Sequence, residues 1–373
     1  MTLVAALLGV TLLAPAAFTT SAGPGLVTNV ESPTIAGKAV YDRVLEASPG
    51  TWEPADATYT YTYAWLRDGK VIRDATKRRY RLTLDDLEHR IAVRVTATDE
   101  AGQSGTATSE ETPRVVRSTL RNKLPPEVTG TARFTRTVRA TPGRWSTEPT
   151  RVRYQWFRGG KPIAGATGPR YRFVPLDVGR RVRVQVTVKA PGHSVAQQMS
   201  PRVAPVGHRV DVRRTVSYHV ETRGKITTSL KVFRRQAQQT FTDPRGWRGA
   251  GIRFRPVARG GSFTLVLSAA NRVTGFSSGC SSMWSCRVGR YVIINQERWK
   301  HASPAWNAAH GALRGYRHMV VNHETGHWLG LGHAGCSGNG RLAPVMMQQS
   351  KGLGGCRFNP WPTGSELASR TPG

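Results

Sequence analysis

Hydrophobic and polar residues alternate along several short stretches in the N-terminal half of the chain. Residues 91–97 read IAVRVTA and residues 182–188 read VRVQVTV, with apolar side chains at every second position. This alternation predicts β-strands with one buried face and one solvated face. Asp68-Gly69 and Gly159-Gly160 indicate tight turns between strands. We therefore expect this part of the chain to consist of short strands joined by turns.

The strand-rich region contains an internal repeat with an offset of about ninety residues. The matching segments are SPGTW at 48–52 and TPGRW at 141–145, YAWLRDGK at 63–70 and YQWFRGGK at 154–161, and RYRL at 79–82 and RYRF at 170–173. The copies resemble the tandem Ig-like repeats of bacterial surface and secreted proteins, although they lack the paired cysteines of antibody domains. That resemblance implies two all-β sandwiches, at 28–117 and 118–206. Trp65 and Trp156 are predicted to be core residues, with stacking on sugars as the alternative.

The pattern changes after Pro205, where helical and strand periodicities are mixed. Helical spacing covers residues 228–241 and about 310–329, and strand candidates are found at 216–220, 251–257, 263–267 and 291–294. The strand that begins at Tyr291 is predicted either to border a substrate cleft or to lie inside the sheet. We expect an α+β domain at 207–373, so that the fold class is a multidomain protein with two β-sandwiches and an α+β domain.

The second predicted helix carries a motif with metal-ligand spacing. Residues 323–333 read HETGHWLGLGH, which is H-E-x-x-H-x-x-G-x-x-H. Residues four apart lie on one helix face, so His323 and His327 can direct two imidazoles at one ion. Gly330 can end the helix with positive φ and return the chain, so that His333 supplies a third nitrogen. His318 lies five residues before His323, on a different face, and is predicted not to be a ligand.

This arrangement predicts a catalytic Zn²⁺ site and not a structural one. Three neutral imidazoles leave one zinc position open, and the carboxyl of Glu324 lies beside the metal, where it can accept a proton from bound water. Zinc lowers the pKa of that water and polarises a peptide carbonyl. A bare HExxH is a weak signal, but the additional glycine and histidine at fixed offsets make a chance match improbable.

The motif resembles the extended zinc sequence of the metzincin metallopeptidases. That clan has a methionine-containing turn beneath the metal, which implies that Met346 in APVMMQQ has this role, with Met347 or simple core packing as alternatives. Together with the segment DPRGW at 243–247, the motif also resembles a family of secreted actinobacterial domains of unknown function. The chain departs from better-known metzincins because it has no tyrosine placed as an extra ligand and no cysteine-switch propeptide. Zymogen activation is therefore left open.

The formal net charge of +31 is carried by residues 119–373, since the first 118 residues are nearly balanced. A field of this sign attracts anionic surfaces, and we expect anionic cell-envelope polymers to be partners unless the charge reflects only solvated arginines. No basic helix or stacking-aromatic motif organises the charge, so nucleic acid is not expected as a partner. We expect the protein to be a monomer.

The N-terminus predicts export. Thr2 to Phe18 is uncharged and apolar, and small residues follow up to Ala22, which favours a signal peptide within 1–27 over a short membrane anchor or a mature helix. Four cysteines also agree with a secreted or surface location. They suggest two disulfides, most simply Cys280 with Cys286 and Cys336 with Cys356, although three pairings are possible.

The leading hypothesis is a secreted or cell-surface zinc metalloendopeptidase that hydrolyses protein or peptide substrates with Glu324 as general base. One alternative is a non-catalytic envelope-binding or adhesive protein with a structural zinc domain. Another is a zinc amidase that acts on cell-wall peptides.

Overall fold

The computed structural model describes residues 26–370, so the predicted export segment at 1–27 lies outside the described residues except for its last two. The chain forms two compact units. One comprises the described residues up to Arg121 with Trp145–Arg151 and Val188–Ala196, and the other comprises Asn122–Arg144, Val152–Thr187 and the described residues from Gln197 onward. Within the described range, no helix is both long enough and apolar enough to span a bilayer.

The first repeat is built from strands, as the alternation predicts. Its strands are β1 (Thr28–Glu31), β2 (Thr34–Ala36), β3 (Val44–Ser48), β4 (Thr51–Glu53), β5 (Thr60–Arg67), β6 (Lys70–Val71), β7 (Arg79–Arg81), β8 (Ile91–Thr98) and β9 (Ser104–Thr108). They form the sheets β1-β4, β2-β3-β7 and β6-β5-β8-β9, and the side chains of several strands meet in one buried core.

The second repeat has an equivalent set of strands. They are β10 (Ser118–Thr119), β11 (Asn122–Leu124), β12 (Val128–Thr129), β13 (Thr137–Ala140), β14 (Arg144–Trp145), β15 (Arg151–Arg158), β16 (Lys161–Pro162), β17 (Arg170–Arg172), β18 (Val182–Lys189), β19 (His193–Ser194) and β20 (Ala196–Met199). They form the sheets β11-β14, β12-β13-β17 and β16-β15-β18-β20, together with the pair β10-β19.

The repeated tryptophans lie in the cores of the two repeats. Trp65 and Trp156 are fully buried, and their indole N–H groups donate to the carbonyls of Lys77 and Gly168 at 2.8 and 2.9 Å. A buried, hydrogen-bonded indole has no face left for a sugar. The prediction that both are core residues is therefore confirmed.

A buried carboxylate accompanies the tryptophan in each repeat and was not anticipated from the sequence. In the second repeat Asp177 accepts a hydrogen bond from the Tyr171 hydroxyl at 2.9 Å and pairs with Arg158 at 2.6 Å. Asp86 has the same role in the first repeat. Each oxygen of the buried carboxylate has hydrogen-bond donors, which compensate for its lost hydration.

The region after the second repeat is a five-stranded sheet with several helices, as the mixed helical and strand periodicities predict. Its strands are β21 (Arg214–Arg223), β22 (Ile252–Pro256), β23 (Phe263–Ser268), β24 (Cys286–Val288) and β25 (Tyr291–Asn295). Its helices are α1 (Leu230–Thr242), α2 (Ala270–Val273), α3 (Gln296–His301), α4 (Pro304–Ala308), α5 (Leu313–Trp328) and α6 (Gly364–Ser369).

The sheet has the order β22-β21-β23-β25-β24. The first four strands are parallel, and the edge strand β24 runs antiparallel to β25. Every residue of β23 is buried, because the sheet is covered on both faces. The strand that begins at Tyr291 is therefore interior, and the edge belongs to β24.

Helices α1 and α5 pack together, and α5 also lies against β24 and β25. The side chain of Ser229 caps α1 by accepting from the amide of Val232. The buried face of α5 carries Tyr316, Met319 and Val320 toward the domain core. This packing places the histidines of α5 beside the antiparallel edge of the sheet.

Candidate metal centre

The structure brings His323, His327 and His333 together. One ring nitrogen from each lies within 4.8 Å of the other two, and among residues 26–370 this is the one cluster that could hold a metal. His327 Nε2 lies 3.1 Å from Nε2 of both His323 and His333. The predicted ligand set therefore converges through the same atom of each ring.

Hydrogen bonds at the opposite nitrogens orient two of the rings. His323 Nδ1 contacts the carbonyl of Val345, and His327 Nδ1 contacts the carbonyl of Leu331, both at 2.8 Å. A carbonyl only accepts, so each Nδ1 carries the proton and each Nε2 presents a lone pair. Burial lowers the pKa of all three histidines, that of His323 to about 3, which favours the neutral rings that bind metals.

This donor set fits a zinc ion. Two nitrogens bound at about 2.0–2.1 Å to one tetrahedral ion lie about 3.3–3.4 Å apart, close to the 3.1 Å found here. Lone pairs that face each other at this distance repel unless a cation lies between them. Nitrogen ligands alone, in three histidines, suit zinc better than calcium or magnesium.

Gly330 ends α5 as the spacing predicts. It has φ 91°, and the amides of Gly330 and Leu331 donate to the carbonyls of His327 and Gly326 at 3.0 Å. This pair of bonds is a Schellman motif, which favours glycine at the left-handed position. The turn fixes the Leu331 carbonyl that orients His327, and it directs the chain toward His333.

Met346 lies beneath the helix that carries the histidines. It is 1% exposed, and a Cβ added at Gly326 would stand 2.2 Å from its sulfur and 2.9 Å from Trp247. Met347 is only half-buried. Of the two candidates, the structure thus places Met346 under the site, against a helix turn that has no side chain.

A buried carboxylate on α6 holds the same methionine turn. Glu366 accepts from the amides of Val345 and Met346 at 3.1 and 2.8 Å and from the Thr363 amide at 2.7 Å. The amide of Met346 and the carbonyl of Val345 belong to one peptide group, and that carbonyl accepts from His323. The carboxylate of Glu366 is therefore linked to the ring of His323 through a single peptide group, and hydrogen-bonded supports of this kind orient histidines that bind zinc.

Glu324 faces a cleft of about 370 Å³ that is also lined by the three histidines. Residues within 279–287, which include part of strand β24, together with Met319, Val320 and residues 348–351, form the rest of its wall. Burial raises the pKa of Glu324 to about 8, and the charge of Arg287 opposes this increase. Among the described residues none donates a hydrogen bond to this carboxylate, so it is free to exchange a proton with a ligand in the cleft.

Both predicted disulfides are present. Cys280 is bonded to Cys286 and Cys336 to Cys356, and no free cysteine is found among the described residues. The first bond lies in the cleft wall, where it leads directly into β24. The second closes a loop that contains the methionine turn and begins three residues after His333. Disulfides indicate that the chain folds in an oxidising compartment.

Other polar residues of α5 have packing roles. His318 contacts the hydroxyl of Thr240 at 2.9 Å, and its ring lies tilted against the ring of Trp361. It takes no part in the histidine cluster. Asn322 is buried and donates to the carbonyl of Pro360 at 2.9 Å. Trp328 packs against Phe263.

Comparison with known proteins connects the domain to a family without an assigned activity. A family model described as "Protein of unknown function (DUF3152)" matches residues 189–356, which agrees with the resemblance inferred from the sequence. No curated protein matches the chain. Neither comparison identifies a metzincin, so that resemblance stays a prediction.

Several solved structures are similar to part of this chain. The three N-terminal domains of the outer capsid protein Hoc of bacteriophage RB49 are 15% identical, with a TM-score of 0.23, over 52% of this chain and 66% of that one. The amphioxus IgVJ-C2 molecule is 13% identical, with a TM-score of 0.22, over 41% and 91%. Murine CEACAM1b is 14% identical, with a TM-score of 0.19, over 46% and 96%.

These scores are too low to carry an argument, and the chain spans slightly less than two thirds of the phage structure. The chain has Ig-like structural neighbours for its N-terminal part and contains, at residues 189–356, a domain of the family described as "Protein of unknown function (DUF3152)".

Proposed function

We propose that the protein is a zinc-dependent peptidase of metzincin type that works outside the reducing cytoplasm. The observation that carries the proposal is the convergence of three Nε2 lone pairs, two of them held in place by Nδ1 hydrogen bonds. A structural site has no use for an adjacent carboxylate with no hydrogen-bond donor in a cleft. Glu324 therefore favours catalysis over a purely structural role.

His323, His327 and His333 would hold the ion from the end of a rigid helix and the turn that follows it. When bound, zinc would supply Lewis acidity toward a scissile carbonyl and toward water. Glu324 would take a proton from the attacking water and return it to the leaving amine. Its raised pKa fits a group that must exchange protons near neutral pH.

The antiparallel edge strand of the sheet favours a peptide as the substrate. Strand β24 pairs with β25 on one side and is the last strand in the sheet order. Cys286 and Arg287 of this strand line the cleft beside Glu324. An extended peptide can add to such an edge through main-chain hydrogen bonds, which aligns one peptide bond with the metal centre.

The test uses the full chain and its Glu324→Gln and His327→Gln variants. We expect about one zinc per chain in the wild type and in Glu324→Gln, and loss of zinc in His327→Gln. A diverse peptide library should be cut by the wild type alone. His318→Gln is the matched control, because this histidine lies on the same helix but outside the cluster, and it should retain both zinc and activity.

The alternatives are distinguished by the same experiment. Zinc in the wild type and in Glu324→Gln, without cleavage of any peptide by either protein, would support a structural zinc domain in an envelope-binding protein. Cleavage confined to peptidoglycan stem peptides would support a cell-wall amidase. The cationic excess after residue 118 supports an anionic envelope polymer as a partner under each of these outcomes.

A further inference from the structure

The cleft beside the histidines is cationic. Arg287 and Lys351 line it, and Glu324 is the one acidic residue in its wall. Arg287 projects from the edge strand and lies close enough for its charge to act on Glu324 and His327. Lys351 follows the methionine turn, and its charge acts on His333. Two elements thus bring positive charge to the position where a substrate would be cut.

Neither cation is neutralised by the protein. Within residues 26–370, Arg287 and Lys351 have no carboxylate within ion-pair distance. The other carboxylates of residues 207–370 are already engaged. Asp211 pairs with Arg133, Glu221 with Arg223, Asp243 with Arg245, and Glu297 with Lys300, while Glu366 accepts backbone amides.

A cationic surface is expected on a chain of this charge, but most surface arginines do not line a cleft. Within a concave site, low-dielectric walls concentrate the field and strengthen its action on a bound charge. A peptide with lysine or arginine at these positions would meet like charge, whereas a carboxylate would supply the counter-charge that the protein lacks. Charge complementarity of this kind selects among partners more than it adds raw affinity.

We propose that the cleft selects peptides that carry a carboxylate close to the bond that is cut, through Arg287 and Lys351. This inference rests on the proposed peptidase function. The carboxylate can belong to an Asp or Glu side chain or to the C-terminus of a short peptide. Both sources present the same chemistry to a guanidinium or ammonium group.

The size of the effect follows from the exposure of the two cations. Each exposed ion pair corresponds to a preference of about 1.4-fold to fivefold, so two pairs together correspond to about twofold to thirtyfold. The preference should decrease as salt is raised from about 0.05 to about 0.5 M, because exposed charges are screened.

The experiment compares matched peptides on the full zinc-loaded chain. Each peptide that is cut is remade with Glu, Gln or Lys at the positions next to the scissile bond, and with a C-terminal acid or amide. We expect kcat/KM to be about twofold to thirtyfold higher for Glu than for Gln, and lowest for Lys. A gain that follows the free C-terminus alone would assign the carboxylate to the peptide end.

Charge-reversal variants identify the residues that are responsible. Arg287→Glu and Lys351→Glu should remove or invert the preference. Arg259→Glu makes the same change in net charge at an exposed position outside the cleft wall and should leave the preference intact. An equal loss in the Arg259 variant would show that the overall field is responsible and would overturn the proposal.

Binding to the zinc-loaded Glu324→Gln variant separates this inference from the proposed function. Tighter binding of Glu peptides than of Gln peptides, without cleavage by the wild type, would leave the selectivity standing and reject the peptidase. Cleavage by the wild type with equal rates and equal affinities for both peptides would leave the peptidase standing and reject the selectivity.

Discussion

The glycine in the middle of helix α5 offers a sharp test of the packing beneath the three histidines. In an ordinary helix interior, Gly→Ala stabilises a protein by about 1 kcal/mol. At Gly326, however, the new Cβ would stand 2.2 Å from the sulfur of Met346 and 2.9 Å from Trp247. Both neighbours are almost fully buried, so neither can swing into solvent.

The clash should outweigh the gain in helix propensity. Overpacking of a core costs about 1–3 kcal/mol, so after the helix-propensity gain of about 1 kcal/mol the net destabilisation of Gly326→Ala is up to about 2 kcal/mol. For a domain of this size that corresponds to a decrease in Tm of up to about 8 °C. Zinc affinity should also decrease, because the displaced methionine lies in the turn that holds His323.

Thermal and urea unfolding with and without zinc measure this effect. Met346→Ala should be destabilising alone, but in the double variant the added methyl group enters the space that the thioether has left. The two changes should therefore couple favourably by about 1 kcal/mol or more. Gly364→Ala is the control, since its Cβ would meet nothing within 4 Å. An increase in Tm for Gly326→Ala would refute the packing argument.

Three further predictions concern buried polar groups. Glu366→Gln should weaken zinc binding by about tenfold to a hundredfold, measured by competition with a chelator, because the amide cannot accept all the hydrogen bonds of the carboxylate. Burial lowers the pKa of His318 to about 4, against 6.5 in the unfolded chain, so stability should fall as pH decreases from 6.5 to 4, by about 1–2 kcal/mol after solvent screening. Asp177→Asn should destabilise the second repeat by about 2–4 kcal/mol in urea unfolding, because Arg158 loses its buried partner.

Each of these predictions has a matched control. Glu297→Gln changes an exposed carboxylate of the same domain and should leave zinc affinity unchanged. His318→Gln should flatten the pH dependence of unfolding, measured with a chelator present, by the stated amount. Asp42→Asn removes an exposed ion pair with Arg81 and should cost less than about 0.5 kcal/mol. Equal effects in variant and control would contradict the corresponding argument.

The convergence of the three histidines is predictable from the sequence because its geometry is mostly local. His323 and His327 are one helix turn apart, and Gly330 needs only a left-handed turn, so spacing alone determined their placement. The convergence of the histidines and both disulfides agree with the structure, which buries Met346 and leaves Met347 half-buried. The two helices that the sequence predicts, α1 and α5, lie within three residues of their predicted ends, whereas the four shorter helices carry no such signal.

The support for the centre could not be predicted, because it depends on contacts between distant segments. Glu366 reads as an ordinary residue of a short C-terminal helix, and Trp247 as one of ten tryptophans. Gly326 did carry a signal, since glycine is unfavourable inside a helix and its presence indicates close packing. In the repeats, Asp86 and Asp177 follow their RYR segments at a constant distance, but nothing local shows that they are buried.

The peptide group between Val345 and Met346 has a thermodynamic consequence. Its carbonyl accepts a hydrogen bond from Nδ1 of His323, and its amide donates one to Glu366 of helix α6. Metal binding by the three histidines would therefore be linked to docking of α6, and each would favour the other by the same free energy. Metal loading should accordingly slow amide exchange in α6.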